Sequence, residues 1–501
     1  MKFLPPLAFR ILVFGAVPAL SACVVGPDYQ RPALPAGAGY GTAATAQKAV
    51  GTGQLDAASP QLALGMDVPA QWWEVFHCIP LDNLVAQALK DNPSIEAANA
   101  ALQQAQEQVK AQRAAYFPSL SASLSPSRQS IPQTLASPAA SGNDLYNLTT
   151  TQLSISYAPD LFGANARAVE SLVAQEDQQR FSLEAARLTL ASNVVLAAIQ
   201  DASLRAQIDA TRTIVEDQRK TLTIFQQQVI LGYTSKADLA AQTALLAQTE
   251  ATLPPLEKQF EVNRDLLAAL VGHTPGEALT VQFTFDALTL PANLPLSLPA
   301  QLVEHRPDVR MVEAQLHAAS AQVGVSIAAR LPNVTIQGNA GSAAFGLTPT
   351  FNSMTDFWSV AATLTQPLFD AGQLLHRQRA AEAAYEQAVA QYRATVVGAF
   401  QNTADTLHAL AEDDSVLRAN EVSASASRNS LDIAGKQHVL GDISQMNVLI
   451  AEQAEAQARL ALLQARAARY SDVVALFQSL GGGWWNREPE TGLSNSEESR
   501  P

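Results

Sequence analysis

The stretch that decides the fold runs from residue 164 to residue 230 and reads ANARAVESLVAQEDQQRFSLEAARLTLASNVVLAAIQDASLRAQIDATRTIVEDQRKTLTIFQQQVI. It contains neither proline nor glycine, and its apolar residues recur mostly every three or four positions, which is the period of one helical face. Such a helix would be on the order of 100 Å long. Gly232 predicts a turn after it, and helical sequence then resumes. The chain is therefore predicted to fold back as a helical hairpin longer than an ordinary globular domain.

The same pattern occurs a second time. Residues 373 to about 438 are again free of proline, and Gly441 marks the second turn. Pro307 follows Pro93 by 214 positions, and Pro332 follows Pro118 by the same 214. Each half is predicted to contain a helix of about 35 residues, a Ser/Thr/Gly-rich stretch, a very long helix, a glycine turn and another long helix. An internal duplication explains this succession.

The repeat and the compositional shifts predict six segments. In chain order these are a signal peptide (1–22), a lipidated extended N-terminal segment (23–80), repeat 1 (81–272), a linker (273–300), repeat 2 (301–480) and a polar C-terminal tail (481–501).

The predicted helices are rich in alanine and glutamine, so their apolar stripes are narrow. A compact core would require stripes of about 100° or more. Helices with two polar faces suit the wall of a hollow cylinder that is wet on both sides. A plain antiparallel coiled coil fits the helices equally well, and the segments between the helices have to separate the two interpretations.

Those intervening segments alternate between apolar and small polar residues. Leu153, Ile155 and Tyr157 alternate with polar neighbours, and the same period recurs in residues 120–125, 334–337 and 358–365. A period of two with one apolar face is typical of transmembrane β-barrels, in which about ten residues cross the bilayer. Four strands cannot close a barrel, so several copies of the chain are expected to share one wall.

The first residues predict secretion and lipidation. Lys2 and Arg10 precede a short apolar run, and Leu20-Ser21-Ala22-Cys23 follows it. This resembles a bacterial lipobox, in which the cysteine is acylated, for example with palmitate, and becomes the mature N-terminus. Val24 rather than aspartate follows Cys23, which among bacterial lipoproteins implies export to the outer membrane. From Cys23 to about Pro69 we expect an extended tether with little core of its own.

Composition excludes several other classes. The net charge of −14 disfavours nucleic acid as a partner. Cys23 and Cys78 are too few for a disulfide framework or a thiolate metal site, and Cys78 is expected to be a small buried hydrophobe. The seven histidines form no H-E-x-x-H pair, and nucleophile-elbow and phosphate-loop motifs are missing from the sequence. We therefore expect no enzyme activity, no metal and no cofactor beyond the covalent lipid on Cys23.

The sequence as a whole resembles the outer-membrane efflux channel family typified by TolC and OprM, in its lipoprotein (NodT-type) branch. Segments spread from the lipobox to Trp485 carry the resemblance: Cys23–Pro32, Trp72-Trp73, Asn92-Pro93, Tyr116–Pro118, Asp160–Gly163, Arg306–Asp308, Leu331-Pro332, Gln366–Gly372 and Leu480–Trp484. It implies an α+β membrane protein in which three copies build a twelve-stranded transmembrane β-barrel continuous with a long periplasmic α-helical barrel.

The implied function is the passive exit duct of a tripartite efflux pump for drugs or other small molecules. The implied partners are a periplasmic adaptor and an inner-membrane transporter, of RND type in this branch. Family members close the duct at the periplasmic tips, which match the turns at Gly232 and Gly441, and Asp442 and Met446 are the gate candidates. Relatives carry an acid further along this tip helix, where this chain has Ile450.

Two alternatives from other classes remain at this point. A periplasmic coiled-coil adaptor or spacer lipoprotein without a pore would also use long helices, but it would have a single hairpin and lipoyl-like strand modules. An enzyme lipoprotein is disfavoured because the sequence offers no catalytic motif.

Overall fold

The computed structural model describes residues 24–33, 61–130, 145–277, 280–291, 293–296, 299–346 and 353–487. Cys23, and with it the predicted signal peptide and lipidation site, lies outside these ranges. The α-helices, numbered in chain order, are α1 (Ile79–Asp91), α2 (Pro93–Arg113), α3 (Ala164–Ile230), α4 (Lys236–Leu270), α5 (Pro299–His305), α6 (Pro307–Ala328), α7 (Gln373–Leu440) and α8 (Gln445–Ser479). The strands are β1 (Gln61–Leu64), β2 (Ser119–Ser130), β3 (Leu145–Tyr157), β4 (Asn293–Leu296), β5 (Asn333–Phe345) and β6 (Asp356–Thr365).

The chain divides into two compact units. The first combines Met1–Pro32 with Ala101–Gln179 and Val312–Tyr392, and it contains the antiparallel sheet β2-β3-β5-β6. The second combines Ala33–Ala100 with Arg180–Met311 and Arg393–Pro501, and it contains both helix-to-helix turns.

The two long helices have the predicted bounds. The helix that precedes each turn is 67 residues long in the first half and 68 in the second. The helix that follows each turn has 35 residues in both halves. The first of these, α4, continues through Pro254 and Pro255, so two adjacent prolines do not end it.

The prediction of an unbroken helix of about 35 residues at the start of each half is wrong. The helix is interrupted at Asn92 between α1 and α2, and at Arg306 between α5 and α6. Proline follows each of these residues and disfavours helical backbone at the preceding position. Asn92 accordingly has extended backbone with ψ of 124°.

The two interruptions are stabilised in matching ways. Asn92 donates from Nδ2 to the carbonyl of Leu270 at 2.8 Å, and Arg306 donates from Nη1 to the carbonyl of Ser479 at 3.0 Å. In each half the side chain at the break therefore binds a carbonyl at the end of the last long helix. Those carbonyls lack partners within their own helix, so the bonds satisfy groups that would otherwise be unpaired.

The chain next to these helix ends repeats the same close approach. A Cβ placed on Gly272 would lie 2.6 Å from the carbonyl oxygen of Asp91, and one on Gly481 would lie 2.6 Å from that of His305. Both glycines have left-handed backbone, with φ of 82° and 96°. Any side chain at either position would push the two segments apart.

The second unit contains a core that the sequence did not reveal. Residues 61–69 were expected to be tether, but β1 pairs in parallel with β4, and Val68 is buried. Trp72 is 1% exposed and stacks on Phe477 with ring centres 5.4 Å apart. The expectation of little core is wrong here because four-residue strands carry no readable period, and their pairing joins distant parts of the chain.

Candidate functional site: a two-faced sheet and two glycine turns

The sheet of the first unit has one apolar and one polar face, as predicted from the alternation. Its register places Leu120, Ile155, Gly338 and Val360 side by side on the apolar face. The next row of that face is formed by Ala122, Leu153, Ala340 and Trp358. These large side chains are exposed in the isolated chain, with Trp358 at 79% and Ile155 at 50%.

The opposite face is lined by small polar residues that bind one another. Ser121, Ser154, Asn339 and Ser359 form one row of it. Gln152 donates from Nε2 to Asn339 Oδ1 at 2.8 Å and to Ser154 Oγ at 2.7 Å. Exposed apolar side chains on one face and a hydrogen-bonded polar network on the other match a barrel wall between lipid and an aqueous lumen.

The alternation reverses toward Leu145. Tyr146 and Phe345 lie on the polar face there, with their rings edge to face at 5.4 Å. On the other face Thr149 is buried and donates its hydroxyl proton to the carbonyl of Gly346 at 2.7 Å. The apolar band therefore occupies only the part of the strands nearer Tyr157, which limits the height that would contact lipid.

The two edges of the sheet lack neighbouring strands within the described ranges. The order β2-β3-β5-β6 leaves β2 and β6 with one partner each. In a bilayer every backbone donor and acceptor must be paired, so such edges require strands from another chain.

The first glycine turn joins α3 to α4. Gly232 adopts φ of 78°, and the amide of Tyr233 donates to the carbonyl of Gln228 at 2.8 Å. This left-handed C-terminal cap satisfies carbonyls that the helix leaves unpaired. Ser235 then caps α4, because its hydroxyl oxygen accepts from the amide of Asp238 at 3.1 Å.

The second turn, between α7 and α8, repeats the backbone geometry of the first, but Ser444 makes no side-chain cap bond. Gly441 adopts φ of 83°, and the amide of Asp442 donates to the carbonyl of Gln437 at 2.9 Å. Asp442 is exposed in this turn, and Met446 lies in the first turn of α8 with 45% of its surface exposed. Ile450 follows one helical turn later and is also exposed. The two gate candidates thus lie close together in sequence and structure, and Ile450 extends an apolar stripe from Met446.

Sequence reasoning missed an acidic pair on the second hairpin. Burial raises the pKa of Asp413 to about 7, the neighbouring Asp472 carboxyl acts in the same direction, and Arg469 opposes both. Arg469 is buried and binds Asp414 at 2.8 Å and the carbonyl of Leu410 at 3.2 Å. The pair joins α7 to α8, and nothing local in the sequence indicates that residues 413 and 472 meet.

Among the residues that the structure describes, no three His, Cys, Asp or Glu side chains are grouped so that they could hold a metal ion. Cys78 is buried, as expected, and burial raises the pKa of its thiol.

The sequence profile described as "Outer membrane efflux protein" matches residues 84–273 and 298–482. This chain belongs to the outer membrane efflux protein family. The pyoverdine export outer membrane protein OpmQ of Pseudomonas aeruginosa is 30% identical over 418 residues, which cover 83% of this chain and 87% of that one. Outer membrane protein OprJ of the same organism is 26% identical over 484 residues, covering 95% and 96%.

Solved structures of channels share the fold. The outer-membrane channel OprN is 27% identical and covers 92% of this chain and all of its own, with a TM-score of 0.82. VceC from Vibrio cholerae is also 27% identical, covering 83% of this chain and 99% of its own, with a TM-score of 0.77.

Membership in the outer membrane efflux protein family decides between the alternatives. The chain is a transport protein of the outer membrane that extends into the periplasm, and it is neither an enzyme nor dependent on a cofactor. Its fold is that of trimeric channels, in which three chains supply four strands each to one transmembrane barrel that continues as a helical barrel. It acts together with an adaptor and an inner-membrane transporter. The alternative function, that of an adaptor without a pore, is not supported.

Proposed function

We propose that this outer membrane efflux protein is a passive, lipid-anchored exit duct whose periplasmic end closes at the turns around Gly232 and Gly441. The main support for a duct is the sheet, which has exposed apolar side chains on one face, a hydrogen-bonded polar network on the other, and two open edges. A lumen lined by serine, glutamine and asparagine side chains suits diffusion of solutes rather than chemistry.

Substrates are proposed to be small organic molecules selected by the inner-membrane transporter. Relatives that carry the names pyoverdine export protein and toluene efflux pump protein differ in cargo at similar identity. This range favours a duct of broad selectivity. We further propose an RND-type transporter as the partner, on the resemblance to the lipoprotein branch, and acylation of Cys23 as the anchor.

We propose two repeats, at 81–272 and 301–480, separated by the linker 273–300. The paired helix breaks and the paired glycine contacts support this division, because each feature of the first half has a counterpart in the second. The linker is not featureless, since it contains β4 and the buried residues Phe283 and Leu288.

The gate is proposed to consist of Met446 packed near the threefold axis, with Asp442 supplying negative charge. Three carboxylates close to one axis would attract cations and repel one another. Closure would then depend on the apolar contacts of Met446 and its neighbours.

Single-channel recording in planar bilayers tests the duct and the gate. The purified trimer should conduct, whereas an adaptor would insert no pore. Met446→Gly should raise conductance, and Asp442→Asn should lower cation preference with little change in conductance. Gly435→Ala is a suitable control, because a Cβ there meets open space near the C-terminal end of α7. Normal insertion of both gate variants with unaltered recordings would place the constriction elsewhere.

Labelling with a radioactive fatty acid tests the anchor. Cys23→Ser should abolish incorporation while the folded trimer persists, because the strands provide most of the membrane contact. Incorporation that survives in this variant would contradict the assignment of Cys23.

A further inference from the structure

The segment directly after Cys23 lies against two helices of its own unit. Its Val25 amide donates to the carbonyl of Phe162 at 3.1 Å, just before α3 begins. Phe162 is only five residues beyond Tyr157, the last residue of β3. The start of the described chain is therefore tied to the place where a strand of the sheet passes into a long helix.

Glycines on both sides make this contact close. A Cβ on Gly26 would lie 2.4 Å from the Cα of Gly324 on α6, and one on Gly163 would lie 2.7 Å from Val24 Cγ1. Gly26 and Gly163 also have left-handed backbone, with φ of 100° and 75°. Side chains at these positions would hold the segment away from the helices.

Arg167, in the first turn of α3, binds the segment with two nitrogens of its guanidinium. Nε donates to the carbonyl of Val25 at 3.2 Å, and Nη2 donates to the carbonyl of Gly26 at 3.4 Å and to Asp28 Oδ1 at 2.6 Å. Nη1 donates to Glu170 Oε2 on the same helix at 2.7 Å. The Arg167 side chain is 6% exposed, whereas Asp28 is 89% exposed. Arg167 itself is therefore buried, and leaving its guanidinium without acceptors would be costly.

The contact continues along α6. The Tyr29 ring stacks on His317 with centroids 4.3 Å apart, and His317 Nε2 lies 2.9 Å from Glu170 Oε1. Arg31 reaches Glu313 at 3.0 Å. Residues 24–31, which were expected to be part of an extended tether, are thus fixed at several points.

We propose that Arg167 is a positioning residue that holds Val24–Asp28 on the first turn of α3, so that the lipid on Cys23 enters the bilayer beside the end of β3. This inference rests on the proposed acylation of Cys23. We call Gly26, Asp28, Arg167 and Gly324 the N-terminal clasp. Its role is to fix where the anchor lies relative to the barrel wall of the same chain.

Hydrogen–deuterium exchange of the purified, lipidated trimer tests the clasp at the Val25 amide. Arg167→Ala should speed this exchange by about tenfold or more, because local opening then requires no loss of the guanidinium bonds. Arg167→Lys should not restore protection, since one ammonium group cannot reach the acceptors that the planar fork spans. Asp28→Asn, at an exposed side chain, should have a smaller effect of about threefold.

A matched pair of glycine variants distinguishes loss of the contact between the N-terminal segment and α6 from the general effect of backbone strain. Gly26→Ala should speed exchange at Val25 because its Cβ meets Gly324, whereas Gly65→Ala should leave it unchanged. Gly65 also has positive φ, but a Cβ there meets nothing within 4 Å. The Gly26 variant also decides the question if Arg167→Ala does not fold.

The mass spectrum of the same N-terminal peptide distinguishes the two ways of failing. A lipidated peptide whose exchange is unaffected by Gly26→Ala and by the Arg167 variants would overturn the clasp. Full rescue by Arg167→Lys would likewise overturn the role of the guanidinium fork. If Cys23 is unmodified, the proposed acylation is wrong. The positioning of a lipid anchor is then wrong as well, even where the variants change the hydrogen–deuterium exchange at Val25.

Discussion

An arginine at residue 155 should prevent assembly, whereas an arginine at the adjacent residue 154 should be tolerated. Ile155 lies on the apolar face of the sheet between Leu120 and Gly338, and Ser154 lies on the polar face beside Asn339. The two positions are neighbours on the same strand, so their depths in the bilayer and the effect of arginine on strand propensity are nearly equal. Only the face differs, which makes Ser154→Arg the matched control for Ile155→Arg.

The register sets the size of the effect. The apolar face contains successive rows at Leu153, Ile155 and Tyr157, with a further row at Val334 and Leu364. Rows on one face are about 7 Å apart along the strand, so the four rows span about 20 Å of strand. Ile155 belongs to an inner row, where arginine facing lipid costs about 2 to 4 kcal/mol per chain, or about 6 to 12 kcal/mol per trimer.

On the polar face, the expected free-energy cost of an arginine substitution is much smaller. Ser154→Arg would remove the hydrogen bond that Ser154 Oγ accepts from Gln152 at 2.7 Å. A neutral hydrogen bond of this kind contributes about 1 kcal/mol. The long side chain can extend into water in the lumen, so little further cost is expected.

The measurement is the amount of folded trimer in purified outer membranes, together with the free energy of unfolding in lipid vesicles. Ile155→Arg should yield almost no trimer, and Ser154→Arg should yield nearly the wild-type amount. Ile155→Val should remain close to wild type, which would show that the charge and not the loss of isoleucine is responsible. Equal tolerance of arginine at the two positions would refute the assignment of the faces.

Three further predictions concern the second unit. Because the pKa of Asp413 is raised, the folded state retains a proton that the unfolded chain releases near pH 4. The free energy of unfolding should therefore fall by about 1 to 2 kcal/mol, after solvent screening, as the pH rises from about 4 to about 7. Asp413→Asn should flatten this pH dependence in thermal unfolding of the detergent-solubilised trimer. Gly441→Ala should cost about 1 to 2 kcal/mol through left-handed backbone strain alone, whereas Gly435→Ala, in regular helix, should stabilise by up to about 1 kcal/mol, as measured by chemical denaturation. Trp72→Ala should destabilise by about 3 to 5 kcal/mol because it empties the site stacked on Phe477, and near-ultraviolet circular dichroism should report the loss of that packing.

The sequence by itself determined the long helices, the glycine turns and the two faces of the sheet. These features depend on interactions between residues that are near in sequence, or on contact with solvent and lipid, and both leave a period in the chain. The bounds of α3 follow from an uninterrupted helical pattern that ends before Gly232. The faces of β3 follow from alternation at Leu153 and Ile155, because neighbouring side chains of a strand point to opposite sides.

The tertiary structure alone decided the features that join distant segments. The pairing of β1 with β4, the packing of Trp72 on Phe477 and the bonds from Arg167 to Asp28 connect residues far apart in sequence. Such contacts leave no local period, because each residue satisfies a partner rather than a repeating environment. The breaks at Asn92 and Arg306 lie between these extremes: the following prolines make them favourable, but only the bonds to Leu270 and Ser479 fix the chain there.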